Sequence, residues 1–168
     1  MAGEPLSSAH PGAPPTAESG RTTRGFTLVE LLLSIAIVAI LVAIALASYG
    51  KVREQADLTQ AKIDIVTISS AIERYYLINK SYPETLDEIG HGALLDPWGN
   101  PYQYLDITTV KGNGKVRKDH NLVPLNSDFD LYSMGKDGAS QSPLTAKASR
   151  DDIVRAHDGA FVGLASDY

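Results

Sequence analysis

The stretch GFTLVELLLSIAIVAILVAIALASYG, residues 25–50, decides how the rest of the chain is read. From Leu31 to Gly50 it carries no charged side chain. As a helix at about 1.5 Å per residue it covers about 30 Å, enough to span the hydrocarbon core of a bilayer. One carboxylate, Glu30, stands at the head of the run. An unpaired charge there is costly unless it reaches the interface or finds a partner. Arg21 and Arg24 come just before, and by the positive-inside tendency they keep that end in the cytoplasm and send the C-terminal part across.

On the N-terminal side, residues 1–20 (MAGEPLSSAHPGAPPTAESG) are rich in Pro, Gly, Ser and Ala. They hold too little apolar surface to order themselves and are expected to be disordered. On the C-terminal side nothing breaks the helix at Gly50. Ala61, Ile65, Ile68, Ile72 and Tyr75 recur at steps of four and three, while Gln60, Asp64, Thr67, Glu73 and Arg74 occupy other faces. That is the period of an amphipathic helix with one buried stripe. Pro83 disfavours helix at Tyr82, so the spacing predicts an end near Asn79 or Lys80. One helix of about 50 residues therefore starts in the membrane and finishes against a soluble domain.

That domain is small, and the chain's 168 residues contain no cysteine, so any staple for it is not a disulfide. The net charge of −5 and the absence of interleaved basic and aromatic residues argue against nucleic-acid binding. TLDEIG has the Thr85…Glu88 capping-box spacing and a Gly90 stop, which predicts a short helical turn. DPWGNPY, with two prolines around one tryptophan, reads as a rigid loop pinned by an aromatic anchor. Three strand-like runs follow: YQYLDITTV, KVRKDHNLVPL and FDLYSM. Gly112-Asn113-Gly114 between the first two is a hairpin signal, and Pro124 in the middle run implies an edge or an irregular loop. From Gly135 to Asp158 the chain reads as a polar loop, and no internal repeat is present. The fold class expected is α+β: a long N-terminal helix, its first half membrane-spanning, packed on a small antiparallel β-sheet.

Gly25-Phe26-Thr27-Leu28-Val29-Glu30-Leu31 resembles the prepilin processing signature shared by type IV pilins and type II secretion pseudopilins. YPETLDEI, DPWGNPYQY and FDLYSMGKDG are similar to segments of the major pseudopilins of type II secretion, and the resemblance runs from residue 21 to about 138. It implies four parts. Residues 1–25 are a leader that is removed, and 26–50 are the transmembrane and assembly half of the helix. Residues 51–80 are its amphipathic half, and 81–168 a periplasmic pilin-like β domain with a C-terminal acidic loop. The segment from Lys111 to Asn126 is longer than the family's usual connection.

The resemblance also implies roles for particular residues. A prepilin peptidase would cut between Gly25 and Phe26, and Phe26 would be N-methylated; a glycine puts no side chain in the way of an enzyme's close approach. A bare linker glycine is the plainer alternative, and Ala45-Leu46-Ala47 also fits an ordinary signal-peptide site. Glu30 would pair with the new α-amino group of a neighbouring subunit's Phe26, against the simpler reading of a glutamate that snorkels to the headgroups. Asp137, Asp151 and Asp152 match the side-chain ligands of the Ca²⁺-binding loop of major pseudopilins, and the backbone carbonyls of Met134 and Ser149 are taken as candidate donors to complete the shell; composition alone would leave a solvated acidic loop. Lys111, Lys115, Arg117 and Lys118 read as a solvated basic hairpin.

The four histidines, at 10, 91, 120 and 157, show no metal spacing, and no nucleophile motif is present, so no catalytic site is expected. The implied protein is a single-pass inner-membrane subunit with its N-terminus in the cytoplasm. It would polymerise into a periplasmic filament that helps export folded proteins. Its partners would be itself, minor pseudopilins, prepilin peptidase, the inner-membrane assembly platform and the secretin, with no nucleic acid. Two other readings stay open: a type IV pilin for adhesion, motility or DNA uptake, and a soluble secreted binding domain freed after Ala47.

Overall fold

A computed structural model describes residues 25–112, 114–120 and 123–168. The leader up to residue 24, with Arg21 and Arg24, lies outside the described residues, as do Asn113 of the expected turn and Asn121 and Leu122 of the middle run.

One helix, α1 (Leu28–Asn79), dominates the element order. Its end falls where Pro83 places it, and its backbone runs unbroken through Ala45-Leu46-Ala47. Up to Ala43 every described side chain is exposed, and this is the one described helix long and apolar enough to cross a membrane.

Residues 44–168 form a compact unit of their own. Within it Ala61, Ile65, Ile68 and Ile72 are fully buried, as the sequence period predicts, and Tyr75 is half-buried. They pack on a four-stranded antiparallel sheet of β1 (Gln103–Asp106), β4 (Phe129–Ser133), β5 (Ile153–Ala156) and β6 (Phe161–Leu164), in that order. A separate two-residue ribbon pairs β2 (Lys118–Asp119) with β3 (Val123–Pro124). Pro124 thus sits in a minimal ribbon away from the main sheet, where a missing N–H does little harm.

Side-chain alternation gives the sheet two dry faces. Phe129, Leu131 and Ile153 face the α1 stripe together with Leu86 and Tyr102. Val154 and Ala156 join Leu125, Leu144 and Ala165 in a second cluster, with Tyr132 and Phe161 against it. Each fully buried isoleucine of the stripe contributes about 1.5–3 kcal/mol by removing its surface from water. The helix is also tied to the sheet end by Tyr102, whose hydroxyl donates to Asp64 Oδ2 at 2.8 Å.

Several expectations are corrected. The hairpin across residues 112–114 does not form between the first two runs: β1 pairs with β4, in the register Gln103↔Tyr132, and the middle run folds back on itself. Pairing with β4 sets the half-buried β1 beside a mostly buried strand that carries Phe129 and Leu131 into the core, which the basic middle run could not offer. The tail is not all loop. Ile153–Ala156 and Phe161–Leu164 are strands in register Ile153↔Leu164, and they supply half the main sheet. Leu86–Ile89 is a short 3₁₀ turn ending at Gly90, which has φ +77. Thr85 makes no side-chain cap there; Glu88 instead accepts from Glu84 N at 3.0 Å and from the Tyr75 hydroxyl at 2.7 Å.

Candidate functional site

Two places carry the residues singled out in the sequence, and each belongs to a separate compact unit.

At the N-terminal end Gly25 and Phe26 precede α1. Phe26 is 81 % exposed, and a Cβ placed on Gly25 would meet nothing within 4 Å. Among the described residues nothing covers the junction. Glu30 lies in the first turn, where a negative charge suits the helix dipole. Its backbone N–H donates to Thr27 Oγ1 at 3.2 Å, and Leu31 N donates to Thr27 O at 3.1 Å. Thr27 therefore caps the helix. The sequence reading passed over this role, although Thr27-x-x-Glu30 is a capping-box spacing. Among the described residues no basic side chain pairs with this carboxylate in the first turn of an exposed apolar helix.

The second place joins the two motifs on which the resemblance rested. Asp96, buried at the start of DPWGN, accepts from Trp98 N at 3.1 Å and Asn100 N at 2.8 Å, which fixes the tight loop. Its other oxygen accepts from Ser133 Oγ at 2.5 Å, and Ser133 Oγ accepts in turn from Gly135 N at 3.0 Å. Asn100 Nδ2 donates to Gly135 O at 2.9 Å. DPWGN and DLYSMGKDG are thus one hydrogen-bonded unit, and Trp98 packs on the main core.

Gly135 has φ +65, and a Cβ on it would lie 2.3 Å from Asp151 O. The loop after β4 therefore runs hard against the start of β5. Asp137 N donates to Asp151 Oδ2 at 3.1 Å, and Asp137 Oδ1 accepts from Ala139 N at 2.8 Å. Asp152 is fully buried. Its Oδ2 accepts from Ser140 Oγ and Arg117 Nη2, both at 2.6 Å, while Oδ1 is buried without a partner among the described residues. Burial pushes the Asp152 carboxyl up from its usual range, opposed by Ser140 and the Arg117 charge. Ser149 is buried, and its carbonyl accepts from Asp152 N at 3.3 Å.

The structure thus draws Met134, Asp137, Ser149, Asp151 and Asp152 to one loop system. It does not gather three carboxylates or histidines into a metal-ready cluster among the described residues. The orphaned Asp152 oxygen and the close Gly135–Asp151 approach fit a hard cation completed by carbonyls.

Arg117 is the residue whose sequence reading needs correcting. It is not on a solvated hairpin: its side chain is almost fully buried, its guanidinium lies 4.3 Å over the Tyr132 ring, and its backbone N–H donates to Asp130 Oδ2 at 2.6 Å. Nη1 donates to Ser140 Oγ and, at 2.8 Å, to Gln141 O. A neighbouring apolar Val116, also buried, was the signal that this strip turns inward. Among the described residues Arg155 is the other buried cation, forked on Asp128 at 2.8 and 2.7 Å and stacked 3.9 Å over Phe129. The sequence reading did not single it out.

An apolar helix with an open N-terminal junction, an amphipathic continuation and a small antiparallel sheet define a pilin-like, membrane-anchored protein. The comparisons agree. Residues 20–46 match the model of the prokaryotic N-terminal methylation motif. The chain is 35 % identical over 141 residues to the type II secretion system core protein G of Pseudomonas aeruginosa, covering 70 % of this chain and 87 % of that protein. It is 32 % identical to the protein of that name from Aeromonas hydrophila, over 70 % and 86 % of the two chains. A fimbrial protein of Neisseria meningitidis is 29 % identical over 86 % and 85 %. No solved structure matches. The chain belongs to the type II secretion system core protein G family.

Proposed function

We propose that the protein is a structural subunit, not an enzyme, that polymerises into the pseudopilus of a type II secretion system and so helps move folded proteins across the outer membrane. The observation that carries this is the side of α1 that its own sheet leaves bare. Val52, Ile63, Val66 and Leu77 are 52–68 % exposed and share a stripe opposite the buried one. An apolar stripe of this length on a soluble segment marks an interface. A second copy of the same helix, offset along its axis, supplies a matching stripe, and a head-to-tail contact that does not close makes a filament.

In this reading prepilin peptidase cuts the exposed Gly25–Phe26 bond, Phe26 is methylated, and Glu30 pairs with a neighbour's Phe26 amine. Arg21 and Arg24 keep the N-terminus in the cytoplasm, and the unit from 44 onward reaches the periplasm. Minor pseudopilins, the assembly platform and the secretin are the further partners. Calcium would be held by Asp137, Asp151 and Asp152 with the carbonyls of Met134 and Ser149, where it would supply a second cross-link for the loop between β4 and β5. The 35 % and 32 % identity to the Pseudomonas aeruginosa and Aeromonas hydrophila core protein G chains, against 29 % to the fimbrial protein, favours secretion over adhesion.

The test is Ile63→Glu. Because Ile63 is 53 % exposed, the subunit should fold, insert and mature normally, while filament yield and secretion collapse. Filaments at wild-type yield from this variant would remove the interface.

A further inference from the structure

Arg117 sits where a solvated lysine-rich turn was expected, and it reaches across the loop that carries the acidic residues. It binds the loop at its middle, through Ser140 and Gln141, and at its end, through Asp152. The backbone seals the same contact: Lys118 N donates to Ser142 O, Leu144 N to Lys118 O, both at 3.1 Å, and Ser142 Oγ to Val116 O at 2.9 Å. We propose, resting on the calcium reading above, that Arg117 sets the net charge of that site and the binding mode of Asp152. It holds Oδ2, so that Oδ1 alone serves the ion.

The argument is one of charge and of leftover valence. Asp152 is wholly buried, and one of its two oxygens is saturated by a guanidinium and a hydroxyl. The other has no partner, which in a buried carboxylate calls for a further donor or cation. Asp137, Asp151 and Asp152 bring three negative charges, and the buried Arg117 offsets one of them. Two remain, the charge of one divalent ion. Lys136, Lys147 and Arg150 also lie on this loop, but they are exposed and screened by water and salt. A guanidinium with its side chain 5 % exposed is not.

Removing that charge leaves three negatives and favours a trivalent ion over a divalent one of similar size. The ratio of the two affinities isolates this effect, because both ions ask the same geometry of the loop. Any general loosening cancels.

The experiment titrates the full-length chain in detergent micelles with Ca²⁺ and, separately, with Tb³⁺, reading tyrosine-sensitised terbium emission and its displacement by calcium. In Arg117→Met the Tb³⁺/Ca²⁺ affinity ratio should rise about tenfold or more, since a unit charge a few ångströms away in a poorly solvated site is felt strongly. Arg117→Lys should stay near wild type. Asp152→Asn, which removes a negative charge, should move the ratio the other way. Should Arg117→Met fail to fold, Arg117→Gln gives the same charge change while keeping a donor to Asp152, and Asp152→Asn is read against wild type. If wild type binds calcium and the ratio in Arg117→Met and Arg117→Gln equals that of wild type, Arg117 has no such role and the calcium reading stands. If wild type binds no calcium, both fall.

Discussion

Gly135→Ala is the sharpest probe of the loop system that joins the two family motifs. The position has φ +65, which costs a non-glycine residue about 1–2 kcal/mol. A Cβ there would lie 2.3 Å from Asp151 O and 2.7 Å from Asp151 C, so main chain rather than a flexible side chain must move. Forcing such a shift in a packed region adds about 1–3 kcal/mol, for a total of about 2–5 kcal/mol. Gly99 supplies the control: its φ is +92, but a Cβ would meet nothing within 4 Å, so Gly99→Ala incurs only the backbone strain. For a folded unit spanning residues 44–168, each kcal/mol lowers the melting midpoint by roughly 4 °C. Gly135→Ala should then fall by about 8–20 °C and Gly99→Ala by about 4–8 °C on the same scale. The assay is thermal unfolding of the full-length protein in micelles, followed by the fluorescence of Trp98, the single tryptophan. Equal losses for the two variants would show that the Gly135–Asp151 approach is not as tight as described.

Glu30→Val should still insert and be cleaved, because removing a charge eases entry into the bilayer, yet it should yield no filaments; wild-type yield would leave only the snorkelling role. A calcium-loaded wild-type protein should melt higher than the chelated one. Binding to the folded state alone adds about 2.7 kcal/mol at a hundredfold excess over Kd, and an unchanged midpoint would show that the loop binds no ion. Asp158 makes a pH prediction. Burial works against its charge, but hydrogen bonds from Ser127 N and Oγ, with Arg155 nearby, outweigh this and hold its carboxyl below the usual range. A depressed acid stabilises above its unfolded pKa of about 3.9, and that contribution is lost as pH falls through the folded value. Asp158→Asn should thus lose stability near neutrality and flatten the acid limb of a melting-versus-pH profile. Asp130 and Asp152, raised by burial, act in the opposite sense, so the comparison is between variant and wild type. An unchanged acid limb would count against the Ser127 contacts.

What the sequence made legible is what local rules control. The stripe from Ala61 to Ile72 and the stop before Pro83 depend on helical period and on proline sterics, and both stand in the structure. Strand pairing depends on partners far along the chain. The Gly-Asn-Gly signal suggested a neighbour for β1 that β4 outcompetes by being buried throughout most of its length and carrying Phe129 and Leu131 into the core. Ile153–Ala156 was hidden because Arg155 interrupts a short apolar run, and only Asp128 and the Phe129 ring, brought in by the fold, make that arginine a core residue. Arg117 was hidden for the same reason. A basic residue among lysines looks solvated until the carboxylate it pairs with, Asp152, arrives from 35 residues away. The capping role of Thr27 was readable from its spacing to Glu30 and was overlooked because the glutamate drew attention to the membrane.

A chain with no cysteine still has cross-links, and here they are ionic. Arg117–Asp152 ties points 35 residues apart and Arg155–Asp128 points 27 apart, each through a buried arginine stacked on an aromatic face. A disulfide closing loops of that length would constrain the unfolded chain by a few kcal/mol, but it needs an oxidant and often an isomerase. These pairs need neither. They form as soon as the strands meet, and reductant does not cut them. A subunit held this way is indifferent to the thiol–disulfide balance of the compartment in which it folds.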